Sequence, residues 1–343
     1  MQKLLFLFAG AMALLATACQ EQEKAGSPVA DSGFPAIGKI ERLSSELDKL
    51  LPDSAKIELL DSGYVWTEGP VWVAAGDYLL FSDVPENKIY KWTEAEGASV
   101  YLTPAGYTGP DSTGHEGSNG LLLDAQTRLV ICQHGDRRMA RMKAPLDKPS
   151  PDFETLTDNY EGKRYNSPND ACYDKSGNLY FTDPPYGLPG QDEDPTKELP
   201  FNGVYRLNTD GTVDLLVDSL TRPNGIALSP DERTLYIANS DEKKALWMAY
   251  DIAADGSLHN GRVFYEATDQ VTDTFRGLPD GLKVTPTGYI FATGPGAVYV
   301  FSPSGQLLGK FITGVPNSNC AIGNDGKALY ITSDDYLTRV WLK

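Results

Sequence analysis

The chain has 343 residues, is 41% hydrophobic and carries a net charge of −17 with only three histidines. That length and apolar content suffice for a large core. The acidity, with no basic stripe and no interleaving of aromatic and basic residues, excludes nucleic acid as a partner, and the lack of C-x-x-C or H-E-x-x-H spacing argues against a transition-metal cluster.

The N-terminus reads as an address. Lys3 precedes an apolar run over 4–16 and then small residues up to Cys19, a signal peptide over 1–18 that is too short to span a bilayer. Ala16-Thr17-Ala18-Cys19 resembles a bacterial lipobox, with Ala16 where Leu is usual. Cys19 would then become a lipid-modified mature N-terminus, and Gln20 rather than Asp after it resembles the outer-membrane sorting signal of Gram-negative bacteria. The expectation is an exported, periplasm-facing or cell-surface lipoprotein that meets the membrane only through this anchor. Residues 19–38 are polar and contain Gly, Ser and Pro, so they read as a tether. Ile40, Leu43, Leu47, Leu50 and Leu51 share one helical face before Pro52, which predicts a short helical segment over 39–54.

From there on one polar residue recurs ahead of a short apolar run: Glu68, Asn119, Asn169, Asn224, Asp280 and Asn319, at intervals of 39 to 56 residues. Each apolar run is followed by a turn rich in Gly, Asp, Asn or Pro and by a second β-rich run, such as 78–82, 179–182 and 289–293, so each unit is a hairpin with further strands behind it. Periods of this size suit propeller blades. The sixth unit reaches Lys343 after three strands, which would leave a bare edge. Residues 56–61 form the spare strand. The prediction is an all-β, six-bladed β-propeller of four-stranded blades over 55–343, closed by that N-terminal strand pairing with the last blade.

Strand parity gives this fold a functional end. If each marker opens an innermost strand, the loops before strand one and after strand two share one mouth of the central channel. All six markers then ring the channel, with His134, Asp183, Tyr186 and Asn239 at the rim. Glu68 and Asp280 bring two negative charges and Asn169 and Asn224 neutral oxygens, a set suited to a hard divalent cation, with Ca²⁺ first. Taken singly, a marker Asn or Asp before Gly reads as a turn former; Glu68 is a poor turn residue with longer reach. Cys132, Cys172 and Cys320 are too few and odd in number for a disulfide framework. Three buried free thiols are the default, with a Cys132–Cys172 bridge as the alternative.

Several segments together resemble the gluconolactonase/regucalcin (senescence marker protein) family: Thr67-Glu-Gly-Pro-Val-Trp72, His134-Gly-Asp-Arg-Arg138, Ser167-Pro-Asn-Asp170, Tyr180-Phe-Thr-Asp-Pro-Pro-Tyr-Gly187, the run 222–231 and Gly277-Leu-Pro-Asp-Gly281. The resemblance implies a six-bladed, Ca²⁺-dependent lactonase, with Glu68, Asn224 and Asp280 matching metal ligands and Asn169 a position that meets metal or substrate. Ser167 stands where animal members carry Arg, so their way of holding sugar hydroxyls does not transfer; His134 and the long loop are similar to the bacterial gluconolactonase branch.

Hydrolysis of a lactone needs a base within one hydrogen bond of the attacking water. Asp280 is the first choice, since a ligand carboxylate can keep one oxygen free, and His134 the second. Asn119, Tyr186 and Asn319 are placed to meet substrate hydroxyls; Arg137 and Arg138 read as a salt bridge between blades, and the insertion 184–202 as a lid or a solvated loop. The expected partner is a small sugar lactone, bound by a monomer or weak oligomer. Two alternatives stand beside this reading: a promiscuous Ca²⁺-dependent esterase or phosphotriesterase, and a non-catalytic periplasmic sugar-sensing or interaction propeller.

Overall fold

The computed structural model describes residues 33–110 and 116–343. The leader, Cys19 and most of the expected tether lie outside the described residues. The fold occupies one compact unit, Phe34–Lys343.

Six antiparallel blades follow one another along the chain, each built outward from an inner strand at the channel: Thr67–Val73, Ser118–Leu123, Ala171–Tyr173, Pro223–Leu228, Leu282–Val284 and Asn319–Gly323. Blades I to IV have four strands each, and blades V and VI have five. Apolar side chains alternate along the strands and meet between neighbouring blades. Trp247 of blade IV, for example, packs against Tyr299 and Phe301 of blade V at ring-centroid distances of 5.3 and 6.0 Å.

The ring closes as the sequence predicts. Ile57–Ser62 pairs antiparallel outside Tyr336–Trp341, with Ile57 opposite Val340 and Glu58 opposite Arg339. Arg339 is fully buried at this seam. Its guanidinium donates to Glu58 Oε2 from Nε at 3.0 Å and from Nη2 at 2.8 Å, pairs with Glu94 of blade I, and lies 4.2 Å from the Trp341 ring centroid. One charged side chain thus joins the closing strand, the last blade and the first.

The helical segment expected over 39–54 forms only in part. Lys39–Arg42 is instead a fifth strand on blade V, with Lys39 opposite Ile312 and Arg42 opposite Gly309, and Ala36–Ile37 adds a fifth strand to blade VI. Exposed blade edges offer rows of unpaired N–H and C=O groups, and satisfying them outweighs a marginal short helix. Only Ser45–Lys49 coils, as a 3₁₀ turn capped by Ser44 Oγ, which accepts from Glu46 N at 3.2 Å. The apolar residues still do what their spacing implies, since Leu47 and Leu51 are fully buried against blades V and VI, worth about 2 kcal/mol each. Cys132, Cys172 and Cys320 are free; Cys172 is only partly buried, against expectation, because it faces the far mouth of the channel.

Candidate active site

The inner strands are irregular where they meet the channel mouth. Register shifts fall between Glu68 and Val71, Ser118 and Leu121, and Pro223 and Ile226. Such bulges re-aim a side chain out of the pleat, and here each carries a marker. The glycine after the marker at 120, 225 and 281 has a packing reason rather than a turn reason. A β-carbon on Gly225 would lie 2.2 Å from the Asp280 carbonyl oxygen of the next blade, closer than any real contact.

The residues that end the second strands brace the loops leading into the first. Asp83 Oδ1 accepts from Trp66 N at 3.1 Å, Asp183 Oδ1 from Ser167 N at 2.7 Å, and Asn239 Oδ1 from Arg222 N at 2.9 Å. Each braced residue stands two positions before a marker. Asp183 and Asn239, expected at the rim, are therefore buried supports. Burial pushes the Asp183 carboxyl up to about 7 despite two backbone N–H donors.

Five of the six markers line one pocket of about 480 Å³ at this mouth: Glu68, Asn119, Asn169, Asn224 and Asp280. His134 and Tyr186 join them, as expected. Trp66, Val84, Pro85, Leu278 and Pro316 give the pocket an apolar wall, and Glu116 and Arg276 add charge. Tyr186 offers its ring, since its hydroxyl donates to the Ser240 carbonyl at 3.0 Å.

Asn319, expected to meet substrate, is buried and does not line the pocket. Its Nδ2 donates to Glu68 Oε2 at 3.2 Å and to Asp170 Oδ2 at 3.3 Å. The last inner strand seats it beneath Glu68, so it supports the floor. Among the described residues Arg137 makes no salt bridge; its Nε donates to the Tyr165 carbonyl at 2.7 Å and its Nη1 to the Thr196 carbonyl at 3.1 Å. Arg138 pairs with Asp136 two residues away. Through Thr196 and the Arg222–Asp192 pair at 2.9 Å, the insertion 184–202 is fastened on both sides.

The pocket's electrostatics suit a cation. Burial, with Glu68 and Asp170 nearby, raises the Asp280 carboxyl well above the usual carboxylate range, and burial with Asp170 raises Glu68. Among the described residues, Oδ1 of Asn119, Asn169, Asn224 and Asp280 finds no hydrogen-bond partner although buried. Unpaired buried oxygens are costly. A hard divalent ion held by Glu68, Asn169, Asn224 and Asp280 would satisfy three of these four atoms and offset both carboxylates, so these residues fit such an ion. His134 is also buried, with neither ring nitrogen partnered among the described residues, and burial lowers its pKa to about 3, which keeps the imidazole neutral.

Sequence reasoning missed Asp170 and Lys283, which face each other across 3.6 Å inside the channel, beneath the pocket. A signal existed. Gly follows four of the markers, at 69, 120, 225 and 281, whereas an acid follows Asn169.

Fold and pocket together define a six-bladed propeller with an oxygen-rich site at one mouth of its channel. More particularly, the chain belongs to the family described as SMP-30/Gluconolactonase/LRE-like region, which matches residues 66–335. It is 41% identical over 313 residues to the gluconolactonase of Zymomonas mobilis subsp. mobilis, covering 90% of this chain and 87% of that protein. A solved gluconolactonase from Xanthomonas campestris superimposes with a TM-score of 0.76 at 33% identity, covering 90% of this chain and 98% of that one. The fold is also shared with a calcium-binding protein, regucalcin, from Agrobacterium tumefaciens, at a TM-score of 0.64 and 18% identity over 83% of this chain and 94% of that one.

Proposed function

We propose that this protein is a metal-dependent hydrolase that opens sugar lactones to their acids. The observation that carries the reading is the convergence of Glu68, Asp280 and the unpartnered amide oxygens of Asn169 and Asn224 on one pocket. The gluconolactonases of Zymomonas mobilis and Xanthomonas campestris support the substrate class, and the calcium-binding regucalcin supports Ca²⁺ as the ion.

When bound by Glu68, Asn169, Asn224 and Asp280, the divalent ion supplies Lewis acidity that polarises the lactone carbonyl and offsets the charge growing on its oxygen. The chain's own residues do the rest. Asp280 keeps one carboxylate oxygen free of the ion, and that oxygen takes the proton of the attacking water and returns it to the ring oxygen as the ester C–O bond breaks. His134, the second candidate base, lies in the same pocket, but the burial that lowers its pKa to about 3 makes it the weaker acceptor. Asn119 Oδ1 accepts from a sugar hydroxyl, and the Tyr186 ring packs against the flat face of the lactone. Trp66, Val84, Pro85, Leu278 and Pro316 limit bulk water around the ester.

The leader and Cys19 support an exported protein held at the outer membrane by a lipid anchor, acting as a monomer or weak oligomer. Labelled fatty acid incorporated by the wild type and not by Cys19→Ser is the expected result; equal labelling contradicts the anchor. For the activity, acid release from a panel of aldonolactones should exceed the spontaneous rate on at least one of them. Failure on all, with any divalent ion, contradicts the reading.

A further inference from the structure

Beneath the pocket floor lies a chain of polar groups that neither binds substrate nor belongs to the four proposed ligands. Lys283 points from the fifth inner strand into the channel, where its Nζ donates to Asn319 Oδ1 at 3.1 Å and to its neighbour's carbonyl, Leu282 O, at 3.1 Å. It also faces Asp170 Oδ2 at 3.6 Å. Asn319 Oδ1 accepts a second hydrogen bond from Cys320 N at 2.9 Å. Two donors on one oxygen fix the orientation of the amide, since turning it would set an NH₂ group against an ammonium and a backbone N–H. Nδ2 is thereby directed at Glu68 Oε2 and Asp170 Oδ2. Glu68 Oε2 further accepts from Gly69 N at 2.7 Å, so one oxygen of this carboxylate is committed to the floor and its orientation is set from below.

We propose that Lys283 is a positioning residue that acts through Asn319 to hold Glu68 in the orientation that binds the divalent ion. The inference rests on the metal reading above and deepens it. Lys283 touches neither substrate nor ion; it fixes the amide that fixes the ligand. Partners of this kind behind a ligand carboxylate commonly change metal affinity or activity by about 10- to 100-fold.

The test is calorimetric titration of the metal-stripped full-length protein with CaCl₂, for the wild type, Lys283→Met, Asn319→Leu and the double variant. Steady-state kinetics on a lactone substrate at saturating Ca²⁺ accompany it. Each single variant is expected to bind Ca²⁺ about 10- to 100-fold more weakly. The double variant is expected to be no weaker than Asn319→Leu alone, because the two residues act along one path. Added Ca²⁺ should restore more of the lost kcat in Lys283→Met than in Glu68→Gln, where the ligand itself is changed. Wild-type affinity in either single variant would overturn the proposal, as would losses that add in the double variant. If Lys283→Met fails to fold, Asn319→Leu, which strands no charge, decides alone: Ca²⁺ affinity equal to that of the wild type overturns the path. No Ca²⁺ binding by the wild type would instead remove the metal reading itself.

Discussion

A β-carbon placed on Gly69 would lie 2.1 Å from the carbonyl oxygen of Asn119 in the next blade, and Gly69 itself adopts φ +53°. Two markers of neighbouring blades therefore meet through a glycine that no other residue can replace without moving one of them. Gly69→Ala should cost about 3 kcal/mol, from the left-handed backbone and the clash together, and should lower kcat/KM at least about tenfold by shifting Glu68. Thermal unfolding and lactone kinetics check both; an unchanged kcat/KM in a destabilised variant would separate the packing from the site.

Asp280→Asn and Glu68→Gln should each reduce kcat/KM by about 100-fold or more while leaving the fold intact. Because each carboxylate is raised in pKa by burial and by its acidic neighbours, removing one charge should make the metal-free protein melt at a higher temperature than the wild type. Full activity in either variant contradicts the assigned site.

His134 makes stability depend on pH in a defined sense. Burial sets its folded pKa at about 3, below the unfolded value of roughly 6.5. Between these values the unfolded chain binds the extra proton, so the contribution of His134 is complete above roughly pH 6.5 and is lost as pH falls toward 3. Measured by denaturant unfolding, the wild type should lose stability relative to His134→Phe on going from pH 7 to pH 4. A pH-independent difference would show that the imidazole charges freely in the folded state.

The seam offers a contrast between two acids on one guanidinium. Glu58 is buried with Arg339, whereas the Glu94 side chain is 54% exposed. Glu58→Gln should cost about 3 kcal/mol, because it leaves the buried guanidinium with only the half-exposed Glu94 as a charged partner, and Glu94→Gln less than about 1 kcal/mol. Chemical unfolding of both variants checks the ranking, and kcat should change in neither.

The fold was legible because the repeat is physical: each blade needs an apolar inner strand, a tight turn and a polar residue at the channel, so the pattern recurs. Closure was legible for the same reason, since a three-stranded last blade demands a partner. The segment over 39–54 was misread in part because helical spacing cannot show that a blade edge is free to pair. At the pocket, Glu68, Asn119, Asn169, Asn224 and Asp280 converge as strand parity implies. Asn319 shares the marker position yet lies under the floor, a difference of side-chain direction that spacing does not encode. Lys283 and Asp170 were hidden because a lysine and an aspartate on separate inner strands, 113 residues apart, reveal their pairing only in three dimensions.

Acid release from D-glucono-1,5-lactone in a pH-stat, by metal-stripped protein before and after adding Ca²⁺, tests the central claim most directly. The account predicts a rate near the spontaneous one without the ion and turnover well above it once Ca²⁺ is added. Equal rates in both states, fast or slow, would contradict a metal-dependent lactonase built on Glu68 and Asp280.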